Sequence, residues 1–242
     1  MTGCNSPAIR TSPGRLIQEV SMASSKCLGR IIGSLLLLHL AVGLMLPYIL
    51  MQPAIAAPGF LENAAAHAGR IRAAVLLLFM SGGITIAVAI TALPFFRRHG
   101  DRLAALLVVL SAINLALHAV ECGALLSMLS LSQNYAERGG ADASLLHELA
   151  AAVGSARKWA HFTHLLVVGS WIFTLFTALW RFRLVPRVLA GLGMLTTVLQ
   201  VAGVPLRALL GMEIITPLAM PLAPVYVAVA AWLMVKGFEE RH

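Results

Sequence analysis

Six apolar runs organise the chain, at about residues 31–51, 73–95, 103–131, 160–180, 184–206 and 214–235. A helix of about 20 residues crosses a hydrocarbon core about 30 Å thick, and each run is long enough to do so. No stretch alternates polar and apolar residues as a half-buried strand does. In lipid, a helix pairs its backbone groups within its own segment. The pattern therefore predicts an all-α, polytopic transmembrane bundle of six helices. Residues 1–30 read as a disordered, basic cytoplasmic tail, 31–236 as the six-span domain, and 237–242 as a short cytoplasmic tail. Met22, at the head of "MASSKCLGR", is a candidate initiator. Ala54-Ile55-Ala56 follows the first run as a signal-peptidase site would. That run exceeds the roughly 7–15 residues of a signal core, so it is read as a retained span.

The connections refine this picture. Those at 96–102 and 181–183 are short, whereas those at 52–72 and 132–159 are longer and helical in pattern. In the latter, Ser144 is placed to cap a helix with an apolar stripe of Leu145, Leu146, Leu149 and Val153. An extension of the fourth span is expected there rather than a separate surface helix. Pro47 predicts a kink late in the first span, and Pro217, Pro221 and Pro224 interrupt the last. Thr91 and Thr177 each open a Thr-Ala-Leu motif that ends a span before a basic turn, a faint repeat of two hairpins running in the same sense.

Composition agrees with a membrane class. Of 242 residues, 59% are apolar and 12% charged, about half the charged fraction of a soluble domain. The net charge of +8 does not indicate nucleic acid, because the basic residues sit at the ends of apolar runs. With the N-terminus inside, twelve of the eighteen Lys and Arg residues fall on the inner side, which places both termini in the cytoplasm. Cys4, Cys27 and Cys122 have neither metal-finger spacing nor a disulfide pattern. Nucleotide loops, GxSxG and HExxH are absent from the sequence.

The candidate chemistry lies in the third and fourth runs. Asn114, His118 and Glu121 fall at i, i+4 and i+7, on one helix face. A charged residue at mid-span costs roughly 2.5–3.5 kcal/mol, so Glu121 requires a partner, a proton or a cavity. In "RKWAHFTHLLVVGSW", His161 and His164 lie one turn apart, in line with Arg157 and Trp171. Counting from span centres near 117 and 168 puts His164 level with Glu121, with His118 and His161 a turn to either side.

Three functional readings follow. His118, Glu121, His161 and His164 are candidate ligands for zinc or iron. The same residues suit a proton or solute relay. His118 with His39 or His164 offers axial ligands for haem. A fourth reading needs no ligand: the cluster is a buried polar lock between helices. Gln200, mid-span in the fifth run, is a secondary candidate that reads as a helix-to-helix hydrogen bond. Arg207 and Glu213 read as a surface pair, and Trp171, Trp180 and Trp232 as interface or packing residues.

The opening "GRIIGSLLLLHLAVGLMLPYIL", "LHAVE" in the third run, "LWRFRLVPRVLAGLGML" and the closing "AVAAWLMVKGF" resemble motifs of the bacterial membrane family called domain of unknown function 4386. The resemblance spans about residues 28–238. It implies six helices, a bacterial inner-membrane location and no assigned activity. The chain departs from that pattern at position 114, where the family usually has an arginine nearby, and around Ala228, where it has a carboxylate. The expectation is a structural or regulatory component of the bacterial inner membrane. A small-solute or proton-linked transporter and a metal- or haem-dependent membrane enzyme are the alternatives. Non-enzymatic function and no cofactor are favoured. The lipid bilayer is the expected partner, and the sequence leaves protein partners and oligomeric state open.

Overall fold

The computed structural model describes residues 13–138, 143–212 and 214–238, and no strand occurs among them. Helix α1 (Pro13–Met45) runs through a π-helical turn at Leu46–Met51 into α2 (Gln52–Ile55). Then come α3 (Phe60–Asn63), α4 (Ala68–His99), α5 (Asp101–Glu137), α6 (Ala143–Arg181), α7 (Arg187–Leu210), α8 (Ile215–Ala219) and α9 (Leu222–Lys236). Six helical stretches are long and apolar enough to cross a membrane. The helices close a ring: α1 packs on α4, α4 on α5, α5 on α6, α6 on α7, α7 on α9, and α9 back on α1. Single faces point inward, and leucine, valine and isoleucine cover the outside, as at Leu76, Val188 and Val235. Exposed apolar surface is what a lipid-facing bundle requires.

Pro47 and Pro221 act where expected, whereas Pro217 and Pro224 lie within α8 and α9. Pro47 lies in the π-helical turn, and the last span splits into α8 and α9 just before Pro221. The segment after the third span does prolong the fourth, since α6 runs unbroken from Ala143. Its 39 residues extend about 58 Å, well beyond a hydrocarbon core. The expected stripe there is not buried as a unit: Leu146 is buried, but Leu145 and Leu149 are exposed.

Two boundaries need correction. Helix α1 begins at Pro13, so residues 13–30 are helical rather than part of a disordered tail. No glycine or proline interrupts Arg15–Leu28, and an apolar helix already formed extends cheaply through such residues. Residues 1–12 lie outside the described residues. At the other end, Phe238 is 2% exposed and stacks 4.8 Å from Phe95, so the packed domain includes it and no tail starts at 237. Phe96 and Phe182 join this aromatic layer at 5.6 Å, where the α4–α5 and α6–α7 turns meet. The expected partner of Arg207, Glu213, lies outside the described residues.

Helix α7 ends at Gly211, whose φ of +69° is left-handed. No neighbouring atom crowds that position. Gly211→Ala is expected to lower stability by about 1 kcal/mol, through backbone strain alone, in a denaturant titration of detergent-solubilised protein. A neutral result would show that the turn relaxes.

Candidate functional site

The polar residues belong to one inward stripe. On α5 the buried positions include Ala104, Leu107, Ser111, Asn114, His118, Glu121, Leu125, Met128 and Ser132. The steps alternate between three and four, so they line one face. On α6 the facing stripe includes His164, Val168, Trp171, Leu175 and Ala178. The helices run antiparallel in one register. His161 contacts Glu121, His164 contacts His118, and Trp171 contacts Ser111. The residue numbers of each pair add to 282. Counting from the span centres gave 285, a slip of three residues, or about 4.5 Å. The actual register is set by what fits: the indole of Trp171 seats against the small Ser111 side chain.

The slip changes the partners of Glu121. His161 Nδ1 lies 3.0 Å from Glu121 Oε1, and Arg157 Nη1 3.8 Å from the same oxygen. His164 Nδ1 lies 4.0 Å from Oε2 and is not hydrogen-bonded to it. His118 and His164 instead meet ring to ring, with centroids 4.2 Å apart. Gly82 on α4 makes room for α5 at His118, since a Cβ there would lie 3.2 Å from His118 Cδ2 and 2.6 Å from Leu115 Cδ1.

Burial and hydrogen bonding diverge here. His118 is 1% exposed, Glu121 4% and His164 9%. Yet both ring nitrogens of His118, both of His164 and Oε2 of Glu121 make no hydrogen bond. Leaving a buried donor or acceptor unpaired costs about 1–3 kcal/mol. One ligand atom from each of the three residues falls in a group whose members are all within 4.8 Å of one another. Metal–ligand bonds of about 2.0–2.2 Å hold any two donors within about 4.4 Å, so small side-chain rotations close the group around an ion. Two imidazoles and a carboxylate leave coordination positions open and suit zinc or ferrous iron. His161 is better placed as an outer partner that orients Glu121 than as a fourth ligand. Rings 4.2 Å apart leave no space for a macrocycle between His118 and His164.

One and two turns further toward the chain termini, the same face is tied by hydrogen bonds between helices. Trp171 Nε1 donates to Ser111 Oγ at 2.8 Å, and Ser111 Oγ donates to the carbonyl of Leu107 at 2.8 Å. Asn114 Nδ2 donates to Thr85 Oγ1 at 3.3 Å, while Asn114 Oδ1 has no partner. His39 sits beside this layer, 5.7 Å from the Trp171 ring, with Nδ1 3.3 Å from the Tyr226 hydroxyl. His118, Glu121, His161 and His164 thus come together, Asn114 lies just below them, and His39 belongs to the layer beneath. Gln200 on α7 stands apart, and its buried Oε1 has no partner.

Sequence reasoning does not single out Thr85, Ser111 or Tyr226, and it reads Trp171 as an interface or packing residue. Ser111 was discoverable, because it continues the α5 stripe one step before Asn114. Thr85 lies one turn from Ser81 on the inward face of α4, a short polar spacing, whereas Tyr226 stands among apolar residues on α9.

Neither the curated proteins nor the solved structures searched gave a significant match. The family model described as a domain of unknown function (DUF4386) matches residues 31–237, most of the chain, and the protein therefore belongs to that family.

Proposed function

We propose that this is a metal-binding protein of the bacterial cytoplasmic membrane, with both termini inside, that holds one divalent transition-metal ion between α5 and α6. His118 and His164 supply imidazole nitrogens, and Glu121 supplies Oε2. The observation that carries this reading is the set of five buried donor atoms without hydrogen bonds. The sequence alone favours a polar lock. A lock gains its energy from mutual hydrogen bonds, about 0.6 kcal/mol each on average between membrane helices. His118 and His164 make none, which weighs against a lock and for a bound ligand. Orientation is supported by the distribution of Lys and Arg, and the bacterial membrane by the family resemblance.

The test is elemental analysis of protein purified in mild detergent, followed by titration of metal-stripped protein with Zn²⁺ and Co²⁺. One ion per chain is expected. His118→Leu with His164→Leu should weaken binding by more than the roughly 10–100-fold that an outer-partner change produces. The same double variant, free of metal, should be at least as stable as the wild type, because it removes unpaired polar groups. Loss of stability with no metal bound by the wild type would restore the lock. A second reading, a proton relay, is favoured by the run of polar side chains from Arg157 to Ser111. Proton uptake into vesicles by protein free of metal would support it.

A further inference from the structure

Resting on that metal-binding reading, we propose that the ion exchanges with one face of the membrane only, the face opposite the chain termini. The site lies under a polar mouth and over a sealed floor. The mouth is a single turn of α6. Trp159 there is half exposed, and Lys158 Nζ lies 5.8 Å from the centroid of the Phe162 ring. Tryptophan and lysine with such placement mark the boundary between water and hydrocarbon. His161 is three residues further along, about 4.5 Å below Lys158. Its side chain is 42% exposed and that of Arg157 26%, whereas that of Glu121 is 5% exposed. Polar groups therefore lead without a break from the boundary to Glu121: Arg157 at 3.8 Å, His161 at 3.0 Å. An arriving cation finds the carboxylate within one helical turn of bulk water. Arg157 provides the positive charge beside Glu121 until the ion does.

The opposite direction is closed. Trp171 is 0% exposed, and its hydrogen bond to Ser111 ties α6 to α5 directly beneath the histidines. Beyond that bond, the last buried polar side chain on α6 is Thr174, whose hydroxyl is already spent on the carbonyl of Ser170. Leu175, Phe176, Ala178 and Leu179 follow, all buried. From Thr174 to Arg181 is about 10 Å of helix whose inward residues offer an ion no ligand. The aromatic layer of Phe96, Phe182 and Phe238 closes that end. A charge at this depth is opposed by desolvation, while the mouth side offers His161 and the Glu121 carboxylate.

The experiment uses the full-length protein loaded with Co²⁺ or Zn²⁺ and reconstituted into phospholipid vesicles. An epitope at the C-terminus reports orientation and allows right-side-out and inverted vesicles to be separated. EDTA, which does not cross the bilayer, is added outside each population, and bound metal is followed over time. Stripping is expected to be roughly tenfold or more faster when EDTA meets the face opposite the C-terminus. Trp171→Ala, which removes the floor, should reduce that ratio by accelerating loss from the terminus face. If Trp171→Ala does not fold, the wild-type ratio decides alone. Equal rates from both faces, or faster loss from the terminus face, overturn the inference and leave the metal site standing. A wild-type protein that binds no metal overturns both.

Discussion

Trp171→Ala should lower stability by about 3 kcal/mol, at the lower end of the roughly 3–5 kcal/mol found for buried aromatic-to-alanine changes. Trp171 is among the largest side chains without exposure in the protein. In a soluble core, part of the loss is the transfer of the ring out of water. In a bilayer the unfolded helices already keep the ring out of water, so that part largely disappears. What remains is lost packing, a cavity, and the 2.8 Å hydrogen bond to Ser111. The cavity matters most, because Trp171 is where α1 and α5 meet α6 through His39 and Ser111. Trp171→Phe keeps most of the volume and removes only the N–H donor. It should lose about 1 kcal/mol, within the range measured for interhelical hydrogen bonds in a membrane protein. Denaturant titration in mixed micelles gives both values. An alanine variant within about 0.5 kcal/mol of the wild type would mean that Trp171 is not a central strut.

Gly33→Leu should be at least as damaging, for a different reason. At Gly33 an added Cβ would lie 2.6 Å from the carbonyl oxygen of Ala230 and 2.7 Å from Met234 Cγ. One turn away, a Cβ at Gly29 would lie 2.5 Å from Gly237 Cα. The oxygen and the Cα belong to the α9 backbone and the turn that ends it, so no side-chain rotation relieves the clash. Small residues permit this approach of two membrane helices, where packing supplies much of the association energy. Leucine at 33 must push α9 outward. That loosens the contact of Arg30 Nε with the carbonyl of Met234 at 3.3 Å and of His39 with Tyr226. A loss above the roughly 1–3 kcal/mol of ordinary overpacking is expected, with reduced yield of folded protein. Gly43 on the same helix provides the control. A Cβ there meets nothing within 4 Å, so Gly43→Leu should change stability by less than about 0.5 kcal/mol. Equal effects at positions 33 and 43 would refute a close α1–α9 seam.

Much of the architecture is legible in the sequence. Hydrocarbon allows few ways to satisfy a backbone, so run length and charge density identified six spans. Proline, which cannot donate, marked the π-helical turn in the first span and the break in the last. The α5 face was equally legible, because Asn114, His118 and Glu121 repeat at the helical period and a buried glutamate cannot face lipid without a partner. That Glu121 would need company followed from the energy of charge in hydrocarbon. Which histidine would provide it did not.

Tertiary packing decided that choice. The depth of a span read from sequence is uncertain by about a turn, because interfacial side chains snorkel and helices overshoot the bilayer, as α6 does. A slip of three residues exchanges His164 for His161 as the hydrogen-bond partner of Glu121, and it turns His164 onto His118. That one shift leaves the ring nitrogens of His118 and His164 buried and unpaired, the observation on which the proposed metal site rests. The sequence by itself determined the number of spans, the inward face of the third and the residue types available for chemistry, since these depend on local periodicity and the cost of burying charge. The register between α5 and α6, the seating of Trp171 and the isolation of the five donor atoms depend on how surfaces far apart in the chain interlock. No local rule encodes that fit.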